Sequence, residues 1–212
     1  AALAGAPFEE GGPSGYGQPM TLCFKLSYVD RARMPSRQEM SELYRAAKQR
    51  GDVDCPREDI LFFTWFEDDV VHFNTTRVIQ RRATSGADMS AAELEGRRQL
   101  RQLLGFFRAA VPGFEQCRIH SIAQQIGVRE SRRVLGRAYL TRADFDACAK
   151  FEDAIARVNY NIDIHNPDGS GTTHVRLPEG EWYEIPYGCI VPREIGNLLV
   201  GGRPISVDHA VH

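Results

Sequence analysis

"ILFFTWFEDDVVHFNTT", residues 60–76, sets two β-rich runs on either side of the acidic triplet Glu67-Asp68-Asp69. Aromatic and β-branched residues suit a pleated, half-buried surface, and a connection this short returns the chain antiparallel. Parallel pairing would need a crossover of about a dozen residues or more. The stretch therefore predicts a hairpin. "THVRLPEGEWYEIP", 173–186, has the same form, two β-rich runs around Pro178 to Glu181, and predicts a second one.

Further β-rich segments flank these two. "TLCFKLSYV", 21–29, and "QCRIHSIAQQIGV", 116–128, read as strands, as does "YNIDIH", 160–165, before the polar loop "NPDGSG". "NLLVGGRPIS", 197–206, reads as a buried strand running into a glycine turn. Three capping boxes mark helix starts: Ser36 with Glu39, Ser90 with Glu93, and Thr141 with Asp144. The first opens a helix with Met40, Leu43, Tyr44 and Ala47 inward and a stop at Gly51. The second opens the longest helix, with Leu100, Leu103, Leu104, Phe107 and Val111 on one face. The third opens a helix with Phe145, Cys148, Phe151 and Ile155 inward. The expected fold is α+β: a mainly antiparallel or mixed sheet of at least four strands with about three helices packed on it.

Composition narrows the function classes. The 26 basic and 28 acidic residues nearly balance. A nucleic-acid or membrane-surface binder is expected to carry a basic excess, so neither partner is read here. No apolar run approaches the ~20 residues of a membrane span, and no signal peptide is visible. Cysteines 23, 55, 117, 148 and 189 form no C-x-x-C pair, which argues against zinc ribbons and thioredoxin-like chemistry. A sparse, odd set suits reduced thiols and a cytoplasmic protein. No metal site is read, because no two histidines show a ligand spacing stronger than His209 and His212.

The segment "IGVRESRRVLG", 126–136, concentrates Arg129, Arg132 and Arg133. Arginine presents a planar fork that grips carboxylate or phosphate through two bonds, so a small anionic substrate is one reading. Internal pairing with Glu130, Asp144 or Asp146, or a solvated face, is the other. In "NLLVGGRP" the two glycines would let a cofactor approach the backbone, with Arg203 to neutralise it; an ordinary tight turn is the alternative. Strand alternation puts Asn161, Asp163 and His165 on one face, either a solvated sheet surface or the wall of a site.

Four ordered blocks, "IGVRESRRVLGRAYLT", "FEDAIARVNYNIDIHNP", "YEIPYGCIVP" and "NLLVGGRPISVDHAVH", together resemble the FAD-dependent oxidoreductase family. The resemblance implies a Rossmann-type FAD domain, an inserted substrate domain and a C-terminal return to the flavin. No G-x-G-x-x-G occurs in the chain, so it implies the interior of a larger enzyme. Residues 1–18 would be an extended lead-in, 19–196 the substrate domain, and 197–212 the start of the return. Its two ends would then lie close together.

FAD is the implied cofactor of the full-length parent; its pyrophosphate and adenosine have no evident site in these residues. Arg129 and Arg132 would hold an anionic substrate for hydride transfer, and His165 or Tyr160 would move a proton. Gly201 and Gly202 would mark the closest approach to the flavin, with Arg203, Ser206 and His209 facing it. The expected partners are that substrate and the FAD-binding domain of the same protein. The face at 197–209 would be exposed and partly apolar, and open to homodimerisation. A non-catalytic binding module, stable on its own, is the alternative reading of the chain.

Overall fold

The structure is a computed structural model and describes all residues, 1–212. In chain order the elements are β1 (Phe8–Glu10), β2 (Phe24–Ser27), α1 (Arg37–Arg50), β3 (Phe62–Thr64), β4 (Val71–Phe73), α2 (Gly86–Ala110) and β5 (Arg118–Ile122). Next come β6 (Arg132–Val134), α3 (Arg142–Asp146), β7 (Ala154–Val158), β8 (Ile162–His165), β9 (Thr172–Val175) and β10 (Tyr183–Pro186). The fold is α+β, and every strand pair is antiparallel.

The hairpin at 60–76 forms as β3–β4 and supplies half of a four-stranded sheet of order β3-β4-β2-β5. Its register rows up Phe62, Phe73 and Phe24 on the inner face, and Phe63, His72 and Lys25 on the outer. Phe73 stacks on Phe24 at 5.2 Å and meets Phe107 of α2 at 4.6 Å, so the sheet and α2 share one aromatic core. From α1 come Met40, Tyr44 and Ala47, all fully buried. That helix starts at the Ser36–Glu39 capping box and stops at Gly51, whose φ of 83° suits a residue without Cβ.

Several expectations are corrected. α2 begins at Gly86, not at Ser90. Ser85 is the cap and accepts from the Asp88 amide, and the Asp88 carboxylate accepts from Arg82, so this end closes without a glutamate. Ser90 lies inside the helix, its hydroxyl donating to Gly86 O at 3.0 Å. α3 does start at Thr141 with its capping box but lasts five residues. Beyond it the chain is captured by Glu184 of β10, whose amide donates to Ala149 O and whose carboxylate accepts from the Phe151 amide. Phe145 is buried there, while Ile155 is exposed on β7.

The hairpin expected around Pro178–Glu181 does not form. β9 folds back on β8 across "NPDGSG", and β10 pairs with β7. Asn161 Oδ1 takes the Leu177 amide and Pro178 has no N–H, so the β9 ladder ends there. "NLLVGGRPIS" is not a strand: Leu199 is exposed, Gly202 turns at φ 73°, and its apolar residues part, Val200 packing with Ala6 and Val134 and Ile205 against a second core. Nor do three helices share one sheet. α3 belongs to a second core with Ile162, Tyr183, Cys189 and Val207.

The N-terminal lead-in meets the C-terminal segment. β1 pairs with β6, Gly12 abuts the His209 ring, and the Gln18 side-chain amide donates to His212 O at 3.1 Å. All five cysteines are free, and no helix is long and apolar enough to cross a membrane.

Candidate functional site

Between the first core and the β8–β9 hairpin opens a cavity of about 820 Å³. Alternation decides one wall. Asp163 pairs with His174 and His165 with Thr172 across the strands, and all four side chains line the cavity. Ile162, Ile164 and Val175 take the opposite face, against the second core. The other wall comes from the first core: Arg37 and Arg45 of α1, the 57–61 segment, Phe63 of β3, and Asn74 just after β4.

Arg77 fastens the hairpin to this core. It is 2 % exposed and donates to Gly171 O at 3.1 Å, to Thr172 Oγ1 at 3.2 Å and to His165 Nδ1 at 3.0 Å. Glu58 assists by accepting from the Gly171 amide at 2.6 Å while lying 3.2 Å from Arg77. A guanidinium only donates, so His165 Nδ1 is the acceptor and the ring proton sits on Nε2, which has no partner within the chain. Burial, then the nearby Arg129 charge, pushes His165 down to about 4, so its ring is neutral near pH 7.

The arginines of "GVRESRR" separate. Arg129 lines the cavity. One of its nitrogens donates to Pro19 O at 2.7 Å and to the Thr21 hydroxyl, and the other reaches Asn74 Oδ1 at 3.4 Å. No carboxylate pairs with it. Burial, followed by the like charge of Arg57, pulls it down to about 10, and it stays protonated near neutrality. Arg132 lies on β6 instead, 3.7 Å from Glu10 and over the Phe8 ring, and does not line the cavity. Arg133 is an internal partner: it is 3 % exposed and bonded to Glu130, Gly11 O and Val207 O.

Glu130 also accepts from Gln18 N at 2.9 Å and bonds His209 Nδ1 at 2.8 Å. Burial pushes its carboxyl up, but His209, the Gln18 amide and Arg133 together hold it below its ordinary value. The internal-pairing reading thus holds for Arg133, whereas Arg129 has no carboxylate partner.

Arg129, Tyr160 and His165 come together on the cavity, with Tyr160 exposed at its rim. Gly201, Gly202 and Arg203 form a separate exposed turn: no atom lies within 4 Å of where a side chain would start at either glycine, and Arg203 makes no ion pair. Ser206 is turned inward, its hydroxyl accepting from Gly136 N at 2.9 Å, and His209 is held by Glu130.

Sequence reasoning missed Arg37, Arg45, Arg57 and Arg77. Arg37 and Arg45 sit in the charge-rich helix α1, where arginine reads as a solvated face, and neither Arg57 nor Arg77 belongs to a motif. With Arg129, the guanidinium groups of Arg37, Arg45 and Arg57 line the cavity together with the carboxylates of Glu58, Asp59 and Asp163, and Arg77 lies behind, paired with Glu58. Asp59 is shared between Arg37 at 2.8 Å and Arg57 at 3.1 Å, leaving the terminal nitrogens of Arg57 without a partner in the chain. Such an arrangement can bind an anion by two guanidinium forks, with a neutral imidazole N–H beside them.

A family model described as FAD dependent oxidoreductase matches residues 1–212. No curated protein and no solved structure matches the chain.

Proposed function

The chain belongs to the FAD dependent oxidoreductase family, and we propose that its arginine-lined cavity binds a small anionic substrate of a flavin-dependent oxidation or reduction. The carrying observation is Arg129: a charged, partly buried guanidinium on a cavity wall, next to Arg57 and without a carboxylate of its own. A charge kept under such conditions costs stability unless a ligand compensates it. In this reading residues 19–196 act as the substrate domain.

FAD, when bound, supplies hydride transfer, which no side chain can perform. The fit of the residues present is confined to one edge of that group. Gly201 and Gly202 leave the backbone open to close approach, and the unpaired Arg203 beside them suits a negative edge. Nothing here fits its pyrophosphate, because no G-x-G-x-x-G turn leads from a strand into a helix. A FAD-binding domain of the same protein is the proposed partner for that part.

The chain's own side chains have distinct tasks. Arg129 and Arg57 hold the anion. His165 donates from Nε2 to a substrate oxygen; burial and then Arg129 keep its ring neutral, and the Arg77 bond to Nδ1 fixes the proton on Nε2. Tyr160, at the rim, offers a hydroxyl to the same ligand.

The test is thermal denaturation of the chain with millimolar glutarate as the anion. Arg129→Ala is expected to abolish the ligand-induced rise in Tm, and Arg132→Ala to leave it intact. No rise with the unaltered chain, or equal loss in both variants, refutes the reading.

A further inference from the structure

Asp163 stands apart from the other acidic groups of the cavity. Glu58 is matched by Arg77, and Asp59 by Arg37 and Arg57. Asp163 accepts no hydrogen bond from any group in the chain. Its Oδ1 is buried without a partner, and its neighbour across the strands, His174 Nδ1, stands 3.5 Å away in poor geometry. The side chain is nonetheless one-third exposed, through atoms other than Oδ1, and it lines the cavity. A carboxylate that takes no donor from the protein has its acceptor sites free. It also repels a plain anion, so in a site built only for negative charge it would oppose binding.

We infer that the ligand carries a hydrogen-bond donor beside its anionic group: an α-hydroxy or α-amino acid rather than a plain carboxylate. This rests on the anion reading above and deepens it. Arg129 and Arg57 take the carboxylate and Asp163 takes the hydroxyl or ammonium proton in a charge-assisted bond. The juxtaposition is local to the fold. Asp163 and His165 are two residues apart on one face of β8 and line the same cavity as Arg129 and Arg57, so acceptor and guanidinium groups are offered to one ligand. His165 Nε2–H lies on the same face and serves an oxygen of the same ligand.

Calorimetric titration of the chain with glutarate, 2-hydroxyglutarate and glutamate tests this, because the three differ only in the substituent on one carbon. A hydrogen bond to a charged group predicts at least about tenfold tighter binding of one or both substituted acids than of glutarate. Asp163→Ala is expected to reduce that ratio to about one and to leave glutarate bound as well as before or better, since a repelling charge is gone. The variant removes no hydrogen bond within the chain. Should it still fail to fold, Asp163→Asn separates the terms: its amide oxygen accepts from a hydroxyl but no longer attracts an ammonium, so the preference for 2-hydroxyglutarate survives and any for glutamate falls. Equal affinity for all three acids in the unaltered chain overturns the inference and leaves the anion site standing. A preference that persists in Asp163→Ala overturns it too. No binding of any of the three by the unaltered chain overturns the anion reading and this inference with it.

Discussion

Acidification probes the electrostatics of the cavity through one residue. His165 sits at about 4 in the folded chain against an ordinary 6.5, because burial and then Arg129 disfavour its charged form. Between those two values the unfolded chain holds a proton on this ring that the folded chain does not. Stability therefore falls as pH falls through that window. Taking about 1.4 kcal/mol per pH unit, with partial titration at both ends, the loss attributable to His165 between about pH 7 and pH 5 is about 2 kcal/mol.

Other groups also titrate, so the measurement is a difference. Urea denaturation followed by circular dichroism is run across this range on the unaltered chain and on His165→Asn. Asparagine Oδ1 occupies the place of Nδ1 and keeps accepting from Arg77 and Thr172, but cannot take up a proton. The unaltered chain is expected to lose about 2 kcal/mol more than the variant on going from about pH 7 to 5. Glutarate in the cavity, by offsetting the arginines, should shrink that difference. Identical pH profiles for the two chains, or a larger loss in the variant, would refute the argument that burial, with the Arg129 charge, keeps this imidazole neutral.

The packing makes two further outcomes testable. Ser85→Ala removes the cap of α2 and is expected to lower stability by about 1 kcal/mol, whereas Ser90→Ala stays within about 0.5 kcal/mol, both read from urea midpoints; the reverse order would restore a helix start at Ser90. Glu130→Gln leaves buried Arg133 with only the longer contact to the exposed Glu9 carboxylate at 3.5 Å and is expected to cost about 3 kcal/mol. It should also make the 1–18 segment, tied to Glu130 through Gln18, a target for limited proteolysis; a stable, protease-resistant variant would contradict the role given to this ion cluster.

Local signals in the amino-acid order sufficed where an element is decided by neighbours in sequence. The hairpin at 60–76 forms because two β-rich runs flank a connection too short for any other return. α1 is bounded by a capping box and a glycine whose chemistry is complete within the segment. The alternation of "YNIDIH" places Asp163 and His165 on one face, and that face is a wall of the cavity.

Tertiary structure decided the rest, because the deciding partner is distant in sequence. Glu184 stops α3 short from more than thirty residues away, and β10 pairs with β7 although "PEGE" would allow it to pair with β9. The arginines show the same division. Arg129 and Arg133 sit in one eleven-residue stretch with Glu130 between them, and the fold decides which of the two it meets. Arg133 takes Glu130 together with the distant carbonyls of Gly11 and Val207; Arg129 faces an open cavity with Arg57 and Arg77 behind it. Arg57 was invisible as a site residue: its countercharge Asp59 is two residues away, but only the fold brings Arg37 to share that carboxylate and leaves the terminal nitrogens of Arg57 free on the cavity wall.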